Sequence, residues 1–128
     1  MIKLIFCLHR KQGMTTEAFR DHWENRHGPL VQKHAQALGI QRYVQCHTSN
    51  DARFARVDQA RGAPEAFDGV AELWFTSVEE MTKHGSSPEG RAAGKALLED
   101  EQRFIDLTRS PILLAQEKEF VGAGARHH

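Results

Sequence analysis

The fold is decided near the N-terminus by the stretch Ile2-Lys3-Leu4-Ile5-Phe6-Cys7-Leu8. Bulky apolar side chains alternate along it, and Ile5 and Cys7 make the opposite face apolar as well. A strand that is apolar on both faces belongs inside a sheet whose two faces are both covered. The stretch is too short for a signal sequence with a cleavage site, and charged residues follow it directly. We therefore predict a central, buried strand.

A helical segment follows this strand after a short connection. Thr15 can cap its first turn, and Phe19 and Trp23, four residues apart, share its inner face. Pro29 lacks a backbone N–H, so it predicts a break in the helix and the start of a second one. Gly39 is typical of the end of that second helix.

The remaining chain continues the alternation of strands and helices. Residues 48–67 are polar and without periodicity, which predicts a long loop that is a lid, a binding loop or a disordered excursion. Capping motifs at 77–80 and 87–88 predict the starts of two further helices. The predicted strands are 2–8, 40–47, 70–75 and 111–119. This β-α-β-β-α-β order is the ferredoxin-like, or split βαβ, motif. We predict an α+β fold with a four-stranded antiparallel sheet and helices on one face.

The second face of such a sheet has no cover within one chain. Its strands are apolar on both sides, and large exposed apolar faces usually mark interfaces. A second copy of the same sheet is the simplest cover. We therefore predict a homodimer with the sheets packed face to face, a dimeric α+β barrel. Residues 1–120 are predicted to form this domain, and residues 121–128 a flexible tail.

Composition excludes several classes of partner. In the 128 residues, 17 basic side chains balance 17 acidic ones, so no positive field attracts nucleic acid or an anionic membrane. No apolar run approaches the roughly 20 residues of a spanning helix. Cys7 and Cys46 are isolated, as in reduced cytoplasmic proteins. Metal, phosphate and dinucleotide motifs are missing. We expect a soluble, cytoplasmic protein with no cofactor, no metal, and no nucleic-acid or membrane partner.

Several stretches in register along the chain carry a family resemblance. They are Phe19-Arg20-Asp21-His22-Trp23, His27-Gly28-Pro29-Leu30, Arg42-Tyr43-Val44-Gln45-Cys46-His47, Asp68-Gly69-Val70-Ala71-Glu72-Leu73-Trp74-Phe75, Ser87-Pro88-Glu89, and Asp100-Glu101 with Phe104-Ile105-Asp106. Together they resemble the EthD family of dimeric α+β barrel proteins, over about residues 2–119. The resemblance implies the ferredoxin-like fold and the dimer. It leaves the reaction open, since the relatives include dehydratases, polyketide cyclases, lactone isomerases, cofactor-independent oxygenases and accessory proteins of oxidative degradation.

Histidine is the side chain best suited to proton transfer near neutral pH. His22 borders the inner face of the first helix, and His27 lies where we predict the break. Each could reach a pocket or only bond locally. Tyr43 and His47 share one face of the second strand, about 13 Å apart. They could line two ends of one pocket with Gln45 between them, or form a polar dimer seam.

Glu72 is the most informative carboxylate, because it lies within a predicted strand. A carboxylate there must be paired, hydrogen-bonded or raised in pKa by desolvation. If Glu72 faces the helices, it could orient or deprotonate His22. If it faces the dimer seam, we expect it to pair with Arg42. Trp74, two residues further along the same face, is more simply a core residue than a platform for substrate.

These residues predict an enzyme that performs cofactor-free acid–base chemistry on a small hydrophobic carbonyl or phenolic compound, in catabolism or secondary metabolism. The reaction would be a dehydration, isomerisation or cyclisation. The candidate catalytic residues are His22, His27, Tyr43, His47 and Glu72. The candidate substrate-binding residues are Phe19, Trp23, Gln45 and Trp74. Two alternatives stay open: a cofactor-independent oxygenase, and a non-catalytic ligand-binding accessory protein of an oxidative degradation pathway.

Overall fold

The computed structural model describes residues 1–122, except for the side chains of residues 55, 56 and 58. Its sheet is antiparallel and four-stranded, with the strand order β2-β3-β1-β4. The strands are β1 (Ile2–Leu8), β2 (Arg42–His47), β3 (Gly69–Phe75) and β4 (Ile112–Ala115). This order puts β1 and β3 in the centre, as the ferredoxin-like motif requires, and confirms the predicted fold. Most of the predicted tail, residues 123–128, lies outside the described residues.

Five helices accompany the sheet in the described part of the chain. They are α1 (Thr16–His22), α2 (Gly28–Leu38), α3 (Ala55–Arg61), α4 (Val78–Ser86) and α5 (Pro88–Phe104). Hydroxyl groups of Thr15, Ser77 and Ser87 cap α1, α4 and α5 at the positions that the sequence predicts. The prediction of an unstructured loop over 48–67 is wrong for α3. The search for apolar periodicity misses α3 because this part of the chain is exposed, and an exposed helix needs no apolar stripe.

The predicted break between α1 and α2 is also wrong. The two helices are joined by a π-helical turn, Trp23–His27, in which the Gly28 N–H donates to the Trp23 carbonyl. Gly28 keeps right-handed helical angles, with φ −54° and ψ −52°. Pro29 is tolerated because its missing N–H falls in the first turn of α2. The chain therefore continues as one helical rod past the proline.

The π turn keeps a four-residue repeat on one face of this rod. In an ideal α-helix, residues four apart drift by about 40° around the axis. The wider π turn takes up that drift. As a result Phe19, Trp23, His27 and Val31 are all buried. His27 is carried inward with the apolar residues before and after it.

Two buried clusters fill the space between these helices and the sheet. One contains Phe19, Trp23 and Phe104 against Phe6 and its neighbours on β1 and β3. The other is built around the α2 and α5 residues Val31 and Leu97, with Ile40 and Phe75. The Trp23 ring lies against β3 at Gly69, where an added Cβ would be 2.4 Å from the ring. Only glycine at that position permits this approach.

The opposite face of the sheet carries a polar network in place of a helix, as far as the described residues show. Lys3 Nζ lies 2.6 Å from Glu72 Oε2, and the Trp74 indole N–H donates to Glu117 at 2.9 Å. The Arg42 guanidinium sits 4.3 Å from the centre of a Trp74 ring. These charged side chains cover the Trp74 ring, which is 7% exposed. None of the described helices combines the length and the apolar character needed to span a membrane.

Candidate active site

One buried carboxylate, that of Asp100 on α5, joins two histidines from the α1–π-turn segment. Asp100 Oδ2 is 2.8 Å from His27 Nδ1, and Oδ1 is 3.0 Å from His22 Nε2. An ionised carboxylate only accepts hydrogen bonds, so both ring nitrogens donate to it. The Phe104 ring stacks on His22 with centroids 4.6 Å apart and lies 5.1 Å from the His27 ring. Packing and hydrogen bonds together fix both imidazoles.

The environment sets the charge states of His27 and Asp100. Burial lowers the pKa of His27, and the hydrogen bond to Asp100 only partly offsets this. Burial raises the pKa of Asp100, but the hydrogen bonds from His27 and His22 outweigh it, so the pKa lies below the ordinary value. At neutral pH we therefore expect a neutral imidazole beside an ionised carboxylate. Because Nδ1 of His27 carries the proton, Nε2 keeps its lone pair and can act as a base.

His27 forms part of the wall of a cavity of about 180 Å³ between the helices and the sheet. Two other titratable groups, Tyr43 and Glu101, line the same cavity. The apolar wall is formed by Leu4, Phe6, Leu8, Trp23, Val31, Ala71, Leu73, Leu97, Ile105 and Ile112. An apolar cavity of about 150 Å³ can hold benzene. The space therefore suits a compound with the bulk of one aromatic ring.

Glu101 follows Asp100 directly and is the second carboxyl of the site. Burial, followed by the negative charge of Asp100, raises its pKa to about 7. No hydrogen bond contributes to this shift, in contrast to Asp100. Near neutral pH a substantial fraction of Glu101 therefore carries a proton, which it can donate. Base and acid thus line the same small cavity.

The raised pKa of Glu101 predicts a pH-dependent cost in stability. The folded protein holds this proton more tightly than the unfolded chain does. Glu101 therefore stabilises the folded state at pH values below its ordinary pKa of 4.5. This contribution is lost as the pH rises through about 7. We expect Glu101→Gln to be more stable than the unsubstituted protein by about 3 kcal/mol at pH 8, and by less than about 1 kcal/mol at pH 5. Urea unfolding at both pH values measures this.

The matched control is Glu99→Gln, because Glu99 is an exposed glutamate on the same helix, 4.0 Å from Lys95. Titration of the other groups affects both variants alike, so the difference between them isolates Glu101. An equal response of the two variants to pH would contradict the pKa assigned to Glu101.

A hydrogen-bonded network connects three of the predicted site residues on β2. Gln45 Nε2 donates to the Trp23 carbonyl at 2.8 Å and to Tyr43 Oη at 2.9 Å. His47 Nε2 lies 2.9 Å from Gln45 Oε1, and the His47 ring is 4.4 Å from the Trp23 ring. Gln45 therefore lies between Tyr43 and His47, as one of the two arrangements left open by the sequence requires, but His47 does not line the cavity as the other end of that predicted pocket. Only Tyr43 of these three lines the cavity.

The structure separates the other predicted site residues into two groups. Phe19 is fully buried between Trp23 and Phe104 and does not line the cavity. Glu72 and Trp74 lie on the opposite face of the sheet, so the pairing of Glu72 with His22 is wrong. Strand alternation places Glu72 beside Lys3, which it contacts instead of Arg42. The catalytic and binding roles of all these residues stay predictions.

Sequence reasoning missed Asp100 and Glu101 as members of the site. A signal was present, because Leu97, Asp100, Glu101 and Phe104 follow the spacing of an inner helix face. Two acidic side chains within such a stripe need a partner or a function.

A metal ion is not suggested by the arrangement of these groups. The histidine nitrogens contact Asp100 directly, at hydrogen-bond distances. Among the side chains that the structure describes, no group of three or more His, Cys, Asp or Glu is arranged to hold a metal ion.

The fold and the site define a class of small α+β protein with a ferredoxin-like sheet and a buried His–Asp pair beside an apolar cavity. The EthD domain matches residues 11–108, and the chain belongs to the EthD family. One curated relative is a protein named decarboxylase from Claviceps purpurea, 30% identical over 124 residues, covering 94% of this chain and 86% of the relative. Another is the conidial pigment biosynthesis dehydratase EthD of Metarhizium robertsii, 28% identical over 127 residues, covering 97% and 87%.

Solved structures share the fold at lower identity. An EthD family protein from Bacillus halodurans superposes with a TM-score of 0.61 at 21% identity, covering 92% of this chain and 99% of that one. A dimeric ferredoxin-like protein from Thermobifida fusca has a TM-score of 0.56 at 13% identity, covering 89% and 88%. At these identities the likeness extends to the fold alone.

Proposed function

We propose that this protein is a lyase that uses its own side chains for acid–base chemistry on a small carbonyl or phenolic compound. One observation carries the proposal: His27, held as a base by Asp100, lines the same apolar cavity as Glu101, whose pKa is raised to about 7. The relatives named decarboxylase and dehydratase support a reaction that removes carbon dioxide or water.

In a dehydration, His27 would accept a proton and Glu101 would donate one. His27 Nε2 takes a proton from the carbon next to a carbonyl, and the electron pair of the broken C–H bond forms the new double bond. The hydroxyl on the next carbon leaves with its bonding pair and takes the proton of Glu101, so that it departs as water. Asp100 stays ionised and stabilises the imidazolium formed at His27.

A decarboxylation would use the same cavity, but here the substrate carbon that loses the carboxylate gains a proton. The bond to a carboxylate beside a carbonyl, or ortho to a phenolic oxygen, breaks and releases carbon dioxide. The electron pair stays on the substrate, and Glu101 supplies the proton that replaces the carboxylate. His27 Nε2 takes the proton of the phenolic or enolic hydroxyl during the reaction and returns it when the product has formed. The apolar wall disfavours the charged carboxylate relative to neutral carbon dioxide, which assists its loss.

We also propose that the protein forms a homodimer through the sheet face opposite the helices. Leu113, which pairs with Ile5 across β1 and β4, is 46% exposed there. The Thermobifida fusca neighbour is described as dimeric. A second copy would cover the apolar part of this face.

The function is tested by following product formation. Purified protein, dialysed against a chelator, is incubated with aromatic hydroxy acids and β-hydroxy ketones that have the bulk of one ring. We expect loss of carbon dioxide or water from at least one compound, detected by mass spectrometry, with no oxygen uptake. Oxygen consumption in step with turnover would instead support an oxygenase. Tight binding without conversion across the panel would support an accessory protein.

A further inference from the structure

We infer that Tyr43 donates a hydrogen bond to an oxygen atom of the bound substrate, and that Gln45 is the residue that positions its hydroxyl for this. The inference deepens the proposed function, since it concerns the same cavity and rests on that cavity being the substrate site. It assigns a distinct role to the polar network on β2.

The orientation of the Gln45 amide follows from its partner on the π turn. A backbone carbonyl can only accept a hydrogen bond, so the atom 2.8 Å from the Trp23 oxygen must be the amide nitrogen. That nitrogen has two hydrogen atoms. One goes to Trp23, and the other goes to Tyr43 Oη at 2.9 Å. Tyr43 therefore accepts from Gln45, and its own proton is left for another acceptor.

The amide is held in this orientation from two further sides. Its oxygen accepts from His47 Nε2 at 2.9 Å. Its nitrogen packs closely on Gly28, where an added Cβ would lie 3.2 Å away. The Trp23 carbonyl points at Gln45 as part of the π turn, in which it also accepts the Gly28 N–H. The π turn is thus linked to Tyr43 through a single amide.

The acceptor for the Tyr43 proton is not a protein group that the structure describes. The two groups that approach Tyr43 Oη, the Gln45 amide and the Trp23 side chain, are both donors, and the Tyr43 side chain forms part of the cavity wall. Burial raises the pKa of Tyr43, so the hydroxyl keeps its proton near neutral pH. A donor in a water-poor cavity stabilises negative charge that develops on a carbonyl or phenolic oxygen. A ring-bearing compound with such an oxygen fits both the volume and this donor.

Two aromatic probes of nearly equal shape test the inference. 4-Nitrophenol carries an oxygen that Tyr43 can meet, and nitrobenzene lacks it. Both are bound to the full chain, and dissociation constants are measured by calorimetry or by the absorbance of the ring. We expect the unsubstituted protein to prefer 4-nitrophenol. Tyr43→Phe should weaken 4-nitrophenol binding about tenfold to a hundredfold and leave nitrobenzene binding unchanged.

The positioning role of Gln45 has its own variants. Gln45→Leu cannot donate to Tyr43, so it should reduce the preference for 4-nitrophenol several-fold. Gln45→Glu presents a carboxylate that accepts the Tyr43 proton, so it should abolish the preference as fully as Tyr43→Phe does. The measured quantity is the ratio of the two dissociation constants, which a general loosening of the cavity would not change.

Two outcomes would overturn the inference. One is equal affinity of the unsubstituted protein for the two probes. The other is an unchanged ratio of the two dissociation constants in Tyr43→Phe, and if both probes are weakened equally there, Tyr43 is a packing residue. Neither of these touches the proposed function, which fails only if turnover is missing or does not require His27.

Discussion

Replacing His27 with glutamine should lower kcat/KM about 100-fold to 10,000-fold, the range expected for loss of a general base. Glutamine is of similar size and can still donate to Asp100 through its amide nitrogen, so the buried carboxylate keeps a partner. It has no basic atom to accept a proton from the substrate. Steady-state kinetics on a substrate identified from the panel measures the loss, and urea unfolding checks that the fold is retained.

The other two predicted catalytic histidines provide graded controls. His22 also donates to Asp100, but it does not line the cavity, so His22→Gln should cause a smaller loss. His47 contacts the oxygen of the Gln45 amide, away from the cavity, so His47→Gln should cause the smallest loss of kcat/KM. Full activity of the His27 variant, or a larger loss at His47 than at His27, would refute the assignment of the base.

Replacing Asp100 with asparagine should lower kcat by a comparable factor, at least about 100-fold, through the tautomer of His27. Where a buried carboxylate sets the tautomer of a catalytic histidine, its conversion to the amide costs about 10,000-fold. The asparagine amide can donate to Nδ1, which moves the ring proton to Nε2 and removes the lone pair from the cavity. Nitrogen-15 chemical shifts of the histidine rings report the tautomer directly.

Arg103→Gln is the matched control for this substitution. The Arg103 side chain also contacts Asp100, at 3.2 Å, but it is 62% exposed. Exposed ion pairs of this kind contribute about 0–1 kcal/mol. The control should therefore keep nearly full kcat and the native tautomer. If Asp100→Asn loses no more activity than this control, the carboxylate has no role in setting the base.

The sequence predicts most of the fold because strand alternation and helix caps are local signals. β1, β3 and the caps at Thr15, Ser77 and Ser87 lie where the pattern indicates. The errors occur where local signals mislead. Pro29 usually breaks a helix, but here the helical backbone continues into α2 through the π turn. The last strand, predicted over 111–119, ends at Ala115, where a polar run, Gln116–Glu119, begins.

The site is less accessible to sequence reasoning, because it depends on which distant elements meet. His22 and His27 were identifiable from residue type, but their partner Asp100 lies 78 and 73 positions further along the chain. The face that Glu72 occupies stayed open because alternation gives two faces without saying which one the helices cover. The packing of the helices on Phe6 and Ala71 decides that question, because their neighbours Ile5 and Glu72 point to the other face.

Because of the π turn, the rotational position of every later residue in this helical segment depends on the exact number of residues between Trp23 and His27. Deleting a residue between Trp23 and His27 would restore regular α-helical winding, and each residue accounts for about 100° of rotation. Everything after the deletion would turn relative to Phe19, so His27 would leave Asp100, and Gly28 would leave its contact with the Gln45 amide. We therefore expect this segment to tolerate substitutions at its exposed residues, Glu24 to Arg26, far better than any change in their number.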